Sequence, residues 1–307
     1  MRISVVIPTY NYACFIREAV ESVLNQTRQP HEVIVVDDGS TDDTAEVLKP
    51  YTDAGRIRYH RQDNAGLCAA RNAGLSLATG DAFALLDSDD AWHPKKLEYQ
   101  TAYLESHPEC GLVGTACSSE EPVRWPEIGT APAEALPLQV HPSHTRFAPS
   151  SAVFRRSSWE QVGGFDPATG GTSDRDYWIR CATLSSVVRL NAPLTFYRIH
   201  SGSMTATKVV AMVATELFVI EKAFRSIPAL RSKTLLKRRA YAITHRDAAY
   251  TIWRDAGRPR LALRHLCRSL LLWPVLLDHP RYKFVRLRLG PRLLIAALRG
   301  RPRKPTL

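Results

Sequence analysis

Residues 82–90 read Ala-Phe-Ala-Leu-Leu-Asp-Ser-Asp-Asp, an apolar run that ends abruptly in carboxylates. The segment Ala82–Leu86 is continuously apolar, which is typical of a strand covered on both faces of a sheet. Asp87 and Asp89 are two positions apart, so their side chains leave the same face if the extended geometry continues. Taken alone, the motif is equally compatible with an acidic turn in solvent.

The segments before this run alternate between two periodicities. Helical spacing of apolar residues predicts amphipathic helices over 15–24 and 67–78. Ser40 and Asp43 resemble a capping box, which predicts a short helix running through Leu48. Strand–helix–strand repetition of this kind predicts an α/β fold with a mostly parallel central sheet flanked by helices. Short apolar or β-branched runs between turn residues predict three further strands, Ile3–Ile7, Glu32–Val36 and Ile57–His60.

Polar side chains follow the ends of these predicted strands. Tyr10 and Asn11 come after the first strand, Asp37 and Asp38 after the second, and Asp87 begins the acidic motif after the fourth. Open parallel sheets bind ligands at the carboxyl ends of their strands, so these groups are expected at one rim. Paired carboxylates suit Mg²⁺ or Mn²⁺, ions that usually bridge protein carboxylates to substrate phosphates.

The turn after the first strand narrows the ligand class. It contains no glycine, so the chain has neither a P-loop nor a dinucleotide-binding fingerprint there. A divalent ion on Asp87 and Asp89 would instead neutralise a bound diphosphate. Tyr10 can stack on a base, and Asp38 can accept hydrogen bonds from a base or a ribose. The pattern favours a nucleoside diphosphate attached to a leaving sugar.

A series of motifs in this order resembles family 2 glycosyltransferases, the inverting nucleotide-sugar enzymes of GT-A fold. Together the motifs extend over residues 1–204, about two-thirds of the chain. They are VVIPTYN at 5–11, VDDGSTDDT at 36–44, NAGLCAARNAG at 64–74, LLDSDDAWHPKKL at 85–97, GGFD at 163–166 and DRDYWIR at 174–180.

The resemblance implies roles for individual positions. Residues expected to bind the donor nucleotide are Pro8, Tyr10, Asp38, Arg71 and Asp87. Residues expected to hold the metal ion, Mg²⁺ or Mn²⁺, are Asp87, Asp89 and His200, with Asp89 favoured for direct ligation. The nucleotide-sugar donor is most simply a UDP-sugar, and the acceptor a hydroxyl of a polysaccharide or a lipid-linked glycan.

The resemblance also implies that Asp174 is the catalytic base, which removes a proton from the acceptor hydroxyl. The family usually has Glu-Asp at this point, whereas Ser173 precedes Asp174 here. An N-cap role at a helix start is the structural alternative for Asp174. Asp176 is a competing base, although its i,i+4 spacing to Arg180 favours an ion pair on the helix surface.

Two other functions remain open from the residues alone. A sugar nucleotidyltransferase also uses carboxylate-bound Mg²⁺, but it would need a Gly-rich basic loop after the first strand. A nucleotide-sugar-binding protein without catalysis is kept open by Ser173. The expected activity is nevertheless that of an inverting, metal-dependent glycosyltransferase acting in polysaccharide or cell-envelope synthesis.

The remaining sequence predicts a second, helical part. We expect a transferase domain over 1–205 and a basic helical extension over 206–307, with helices at Val209–Phe224, Lys233–Ala256 and Arg260–Leu271. Residues 118–148 show little periodicity and are expected to form an acceptor-side loop. The scattered cysteines predict neither a disulfide framework nor a zinc site.

Positive charge is concentrated near the carboxyl end. The net charge is +11, yet residues 253–307 contain 14 Lys and Arg against 2 acidic residues, so the rest is close to neutral. Basic residues interleaved with large apolar ones suit an anionic membrane surface. A solvated helical face and nucleic-acid binding are the alternatives, the latter without a recognised motif. With neither signal peptide nor spanning segment visible, the expected location is the cytoplasm, with peripheral contact at the inner membrane face.

Overall fold

The structure is a computed structural model that describes residues 1–119, 133–135, 147–200, 202–203, 208–274 and 285–299. Backbone alone is described at 133–135, 285–289 and 298–299. The chain forms two units. The first holds the described residues through Ala168 together with Ser173–Ile199, and the second holds Thr169–Thr172 and the described residues from His200 onward. The predicted division at residue 205 stays a prediction.

The first unit is built on a sheet whose order is β3-β2-β1-β4-β8-β6-β9-β5, with β7 pairing β9. As predicted, β1 runs parallel to β2 and β4, and β2 runs parallel to β3. Beyond β4 the sheet is mixed, because β8 is antiparallel to both β4 and β6. The strands are β1 (Ile3–Thr9), β2 (Glu32–Asp37), β3 (Arg58–Arg61), β4 (Ala82–Leu85), β5 (Ala91–Trp92), β6 (Cys110–Ser118), β7 (Ala133–Ala135), β8 (Val153–Arg155) and β9 (Ser186–Phe196).

Both faces of the sheet are covered, as the continuous apolar runs predict. Val5 and Ile7 of β1 belong to one buried cluster, whereas Val6 belongs to a second cluster on the opposite face. On that second face a Cβ at Gly74 would lie 2.3 Å from Val6 Cγ1, so the helix carrying Gly74 approaches β1 closely. Burial on both faces fixes the register, because a slip by one residue would exchange the two clusters.

Helices flank this sheet. They are α1 (Ala13–Leu24), α2 (Thr44–Asp53), α3 (Leu67–Leu77), α4 (Lys96–Ser106), α5 (Arg156–Val162) and α6 (Ser173–Cys181). The predicted capping box at Ser40 and Asp43 is wrong. No side chain caps α2 at Asp43. Ser40 Oγ instead accepts a hydrogen bond from the backbone N–H of Asn11 at 3.0 Å, and Asp42 Oδ1 accepts one from Thr44 Oγ1.

The second unit is helical, as predicted. It contains α7 (Val209–Ser226), α8 (Pro228–Arg231), α9 (Thr234–Ala256), α10 (Pro259–Leu272) and α11 (Val285–Arg299). Ile252 and Trp253 of α9, Leu266 of α10 and Leu293 of α11 share one buried cluster. Gly257 ends α9 in the left-handed conformation (φ 61°), which favours glycine. Within the described part of the chain, no helix has the length and apolar character needed to span a bilayer.

Lys96 is a buried cation at the start of α4. Its side chain is fully buried, and its Nζ has no hydrogen-bond partner among the described residues. The Nζ atom lies 3.9 Å from the centroid of the Trp92 ring. Burial holds the pKa of Lys96 well below its ordinary value. A cation–π contact contributes about 2 kcal/mol, which is less than the several kcal/mol that burying an ion costs.

We therefore expect Lys96→Met to raise the free energy of unfolding at neutral pH. Because the pKa of Lys96 is lower in the folded chain than in the unfolded chain, wild-type stability rises as pH increases from the folded pKa toward the unfolded value of about 10.4. Each unit of pKa depression costs about 1.4 kcal/mol at neutral pH. Urea unfolding across this alkaline range should show a flatter pH dependence for Lys96→Met. The exposed neighbour provides the control, Lys95→Met, and equal slopes in both variants would contradict the prediction.

Candidate active site

The carboxyl ends of β1, β2 and β4 meet at one edge of the first unit. Thr9 at the end of β1 is paired with Asp37 at the end of β2. Val6 of β1 is paired with Leu85 at the end of β4. Pro8 is buried within β1, whereas Tyr10 follows the strand with 45% of its surface exposed. An exposed aromatic ring at this rim is available for stacking.

Asp37 orders the turn after β2. Its carboxylate is fully buried and accepts hydrogen bonds from the Ser40 backbone N–H at 2.7 Å and the Tyr59 hydroxyl at 2.5 Å. Arg61 Nη1 lies 3.2 Å from the same carboxylate. Burial and the bond to Asp37 raise the pKa of Tyr59 to about 12. Asp37 is therefore a structural residue that orders this turn.

Asp38 is also buried, and it fixes the loop after β3. Its carboxylate accepts hydrogen bonds from Gln62 Nε2 at 2.7 Å and from the backbone N–H groups of Ala65 and Gly66 at 2.9 and 2.8 Å. These bonds place the 62–66 loop beside the end of β2. The expected contact of Asp38 with a nucleobase or ribose stays a prediction.

Asn11 joins the ends of β1 and β2. It adopts a positive φ of 56°, a conformation that asparagine tolerates better than most residues. Its Oδ1 accepts a hydrogen bond from the Thr41 backbone N–H at 2.7 Å. The sequence predicted Asn11 at the rim but not this bridging role. The signals that could have indicated the role are its position after a strand and the tolerance of asparagine for positive φ.

Arg71 and Asp87 form a charge pair beside the carboxyl end of β4. Arg71 on α3 is 2% exposed, and its Nη2 donates to Asp87 Oδ1 at 2.7 Å. Its guanidinium lies 5.5 Å from the centroid of the Phe165 ring. Burial tends to lower the pKa of Arg71, but the charge of Asp87, its hydrogen bond and the charge of Asp174 together outweigh burial and raise the pKa, so the guanidinium stays a cation. The structure thus brings together two predicted donor-site residues.

Asn72, the residue after Arg71 on α3, makes two side-chain hydrogen bonds to a segment outside this helix. Its side chain donates to the Phe165 carbonyl at 2.9 Å and accepts from the Phe165 backbone N–H at 2.8 Å. These two bonds hold the segment that carries Phe165 against α3. Phe165 in turn lies under the Arg71 guanidinium, so the Gly-Gly-Phe-Asp motif supports the position of Arg71.

Asp174 lies in the first turn of α6, one residue inside the helix, and so it is not the N-cap. Burial raises the pKa of Asp174, the charge of Arg71 opposes this, and the charge of Asp87 adds to it. Asp174 therefore shares the electrostatic field of the Arg71–Asp87 pair. A raised pKa brings a carboxylate closer to the range in which it can accept a proton at working pH.

Asp176, the competing base, is 4% exposed and already engaged. Its Oδ2 accepts a hydrogen bond from Arg180 Nε at 2.8 Å. Arg180 also donates to the carbonyls of Val162 and Gly164. The predicted ion pair is confirmed, but it is buried rather than on the helix surface. Asp176 thus secures α6 to the preceding segment.

The acidic loop after β4 divides into two kinds of carboxylate. Asp87 and Asp89 are partly exposed, whereas Asp90 is 1% exposed. Asp90 accepts hydrogen bonds from Ser150 Oγ at 2.5 Å and from the Arg198 backbone N–H at 2.9 Å. Burial and the charges of Asp87 and Asp89 raise the pKa of Asp90 well above its ordinary value. Asp90 is a structural anchor of the loop.

Ser150 and Arg198 position this loop, and sequence reasoning missed both. Ser150 Oγ accepts from the Asp87 backbone N–H at 3.0 Å while it donates to Asp90. Arg198 Nε donates to the Asp89 carbonyl at 2.9 Å, and its Nη2 reaches Glu18 on α1. Both residues are far from the acidic loop in the chain, so no local pattern links them to it. The one available signal for Arg198 is its position two residues before His200, a predicted site residue.

The residues present fit a divalent ion. The loop offers two hard oxygen donors, Asp87 and Asp89, to one rim. Burial and the negative charges of Asp89 and Asp87 raise the pKa of Tyr12 to about 12, which shows an anionic field there. The described residues contain no group of three or more His, Cys, Asp and Glu side chains that could hold a metal. An ion would therefore need substrate phosphates or water to complete its coordination.

His200 begins the second unit, and its carbonyl accepts a hydrogen bond from the Ser203 backbone N–H at 3.2 Å. Its expected metal-binding role stays a prediction. The expected acceptor-side loop, 118–148, lies largely outside the described residues.

Comparison with known proteins identifies the family. The sequence model described as "Glycosyl transferase family 2" matches residues 4–163, more than half of the chain. An uncharacterized glycosyltransferase of Nostoc sp. is 32% identical over 215 residues, which cover 66% of this chain. The match covers 66% of that relative as well, just under two thirds of its length.

Two solved structures have a similar fold. Residues 1–349 of S. aureus TarS, in complex with UDP-GlcNAc, give a TM-score of 0.65 at 14% identity, with 98% of this chain and 93% of that chain covered. The mannosyltransferase PcManGT from Pyrobaculum calidifontis, in complex with GDP-Man and Mn²⁺, gives 0.62 at 20% identity, covering 97% and 86%. With the family match and the α/β sheet, these findings show that the chain belongs to glycosyl transferase family 2 and has the GT-A fold.

Proposed function

We propose that this glycosyltransferase is inverting and metal-dependent, and that it moves a sugar from a UDP-sugar to a hydroxyl of a polysaccharide or a lipid-linked glycan. The observation that carries the proposal is the meeting of Arg71, Asp87 and Asp174 at the rim. A buried arginine holds Asp87 at 2.7 Å, and both charges act on a carboxyl group whose pKa is raised.

In the proposed mechanism Asp174 accepts the proton of the acceptor hydroxyl as the oxygen attacks the anomeric carbon. Attack from the face opposite the diphosphate inverts the configuration at that carbon. Tyr10 and Asp38 would bind the nucleoside, and Pro8 would line the same end of β1. Arg71 would keep Asp87 oriented toward the diphosphate. A divalent ion held by Asp87 and Asp89, with His200 as a further candidate ligand, would stabilise the negative charge of the leaving group.

The proposed donor draws on the ligands of the two solved structures. TarS was solved with UDP-GlcNAc and PcManGT with GDP-Man, at nearly equal TM-scores. The proposed acceptor is a polysaccharide or lipid-linked glycan, reached from an anionic membrane surface through the basic extension proposed for 206–307. Ser173 replaces the usual glutamate before the proposed base. We therefore expect the contacts to the acceptor to differ from those in other family members.

The test is a panel of UDP- and GDP-sugars assayed for release of nucleoside diphosphate. We expect UDP release from a UDP-sugar with Mg²⁺ or Mn²⁺, loss of release under chelation, and faster release when the correct acceptor is added. NMR of the product should show inverted configuration at the anomeric carbon.

The same panel tests the alternatives. Retained configuration would contradict the inverting mechanism. Formation of a nucleoside triphosphate from the nucleotide-sugar and pyrophosphate would identify a nucleotidyltransferase. Tight donor binding with no turnover across all acceptors would favour a binding protein.

A further inference from the structure

The second unit contains an open groove lined by arginines. The groove has a volume of about 500 Å³ and lies where α9 ends and α10 begins. Its lining residues are Gly257, Arg258, Pro259, Arg260, Leu261, Arg264 and Ala297. A second groove of about 450 Å³ continues along α10 past Cys267 and Arg268. We call these together the arginine groove.

The charges of the arginine groove are not neutralised by the described residues. Arg258, Arg260, Arg264 and Arg268 are all exposed, and within the described chain none of them makes an ion pair or a hydrogen bond through its side chain. The acidic residue nearest in sequence, Asp255, is already paired with Arg254 at 2.5 Å. Guanidinium groups bind phosphate oxygens in bidentate geometry, so the groove suits phosphate groups.

The same surface also exposes large apolar side chains. Arg260, Arg264 and Arg268 follow each other at i,i+4 spacing on α10, and Leu271 continues this face with 79% of its surface exposed. Leu270 is 42% exposed. On α11, which contributes Ala297 to the groove, Leu294 and Ile295 are 51% and 50% exposed. Arginines beside exposed leucines suit an interface that offers both phosphate and acyl chain.

We propose that the arginine groove docks this chain on a bilayer through acidic phospholipid headgroups, with Leu271 and its apolar neighbours entering the headgroup–acyl boundary. The proposal names the surface and the lipid class for the membrane contact proposed above, and it rests on that contact. The phosphates of a nucleic acid would pair with the arginines but would leave the exposed leucines and isoleucine in water. A bilayer would contact both the arginines and these apolar side chains, so it fits the surface better.

Cosedimentation of the full chain with vesicles tests the proposal. One set contains phosphatidylcholine alone and the other equal parts of phosphatidylcholine and phosphatidylglycerol. We expect binding to the acidic set only. The double variant Arg260→Gln/Arg264→Gln should bind roughly 30-fold more weakly, since each basic residue near the surface contributes about a factor of five. The matched control is Arg238→Gln/Arg239→Gln, two exposed arginines of α9 outside the groove, which should bind like wild type.

The apolar contribution has its own measurement. Leu271→Ser should lower the vesicle binding that survives in high salt, where charge attraction is screened. Equal binding by both arginine variants, or equal binding to neutral and acidic vesicles, would overturn the proposal. It would also be overturned if Arg260→Gln/Arg264→Gln lost retention on homopolymeric RNA while its vesicle binding was unchanged.

Release of UDP from a soluble donor, measured on the same samples, separates this proposal from the proposed activity. Arg260→Gln/Arg264→Gln should release UDP at the wild-type rate. If wild type releases UDP but ignores acidic vesicles, the docking proposal fails and the activity stands. Vesicle binding with no UDP release from any donor would leave docking supported and contradict the activity.

Discussion

Asp174→Asn should lower kcat by roughly 10²–10⁴-fold while leaving the affinity for the nucleotide-sugar donor close to that of wild type. Asparagine keeps the size of the side chain but cannot accept the proton of the acceptor hydroxyl, and general-base catalysis is worth about this factor. Arg71 Nη2 donates to Asp87 at 2.7 Å, so we expect this pair to remain in the variant. Donor affinity by calorimetry and turnover with a competent acceptor are the two measurements.

The pH profile gives a second readout for this variant. Burial raises the pKa of Asp174, and only the deprotonated carboxylate can act as a base. The kcat/KM of wild type should therefore fall as pH decreases through this raised pKa, at a higher pH than an ordinary aspartate would give. That acid limb should be absent from the residual activity of Asp174→Asn.

The control is Asp53→Asn, which neutralises an exposed aspartate at the end of α2 that pairs with Lys49. It should turn over like wild type. Unchanged turnover in Asp174→Asn would move the base elsewhere. Asp176 is then a poor substitute, because its carboxylate is committed to Arg180 at 2.8 Å.

The first part of the sheet was predictable because its signals are local. β1, β2 and β4 are continuous apolar runs, and both of their faces are indeed buried. Parallel pairing followed from the helices between them. The later strands were not predicted. Two of them are very short, with two residues in β5 and three in β8, and such segments form only through pairing with distant partners. β8 pairs with β4 and β6, far away in the chain.

The same distinction between local signals and distant contacts explains which site residues were predicted. Residues that follow a strand directly, such as Tyr10, Asp38 and Asp87, were placed at the rim from the sequence alone. Ser150 and Arg198 were missed because they reach the acidic loop across 60 and 108 positions of sequence. The predicted capping box was wrong for a related reason. Ser40 Oγ accepts a hydrogen bond from the backbone N–H of Asn11, a residue distant in sequence, and does not cap α2.

Asp89→Asn is the second variant with a large expected effect. We expect it to reduce metal-dependent transfer by roughly a hundredfold or more, because a bound divalent ion contributes several kcal/mol to stabilising the leaving diphosphate. The fold should be unchanged. Arg198 bonds the main-chain carbonyl of Asp89 at 2.9 Å, and asparagine leaves that carbonyl in place. Binding of Mn²⁺ in the presence of UDP, followed by electron paramagnetic resonance, should weaken in parallel.

Asp90→Asn separates the metal role from general disruption of the loop. Asp90 is buried and bonded to Ser150 and Arg198, so its amide variant should lower the free energy of unfolding by about 1–3 kcal/mol. Asp89→Asn should unfold at the wild-type urea concentration and lose Mn²⁺ binding. Full transfer by Asp89→Asn in the presence of a chelator would remove the metal from the mechanism. The described residues contain no group of three or more His, Cys, Asp and Glu side chains that could hold a metal, so Asp87 would be the only carboxylate of the proposed pair left to the ion after Asp89→Asn.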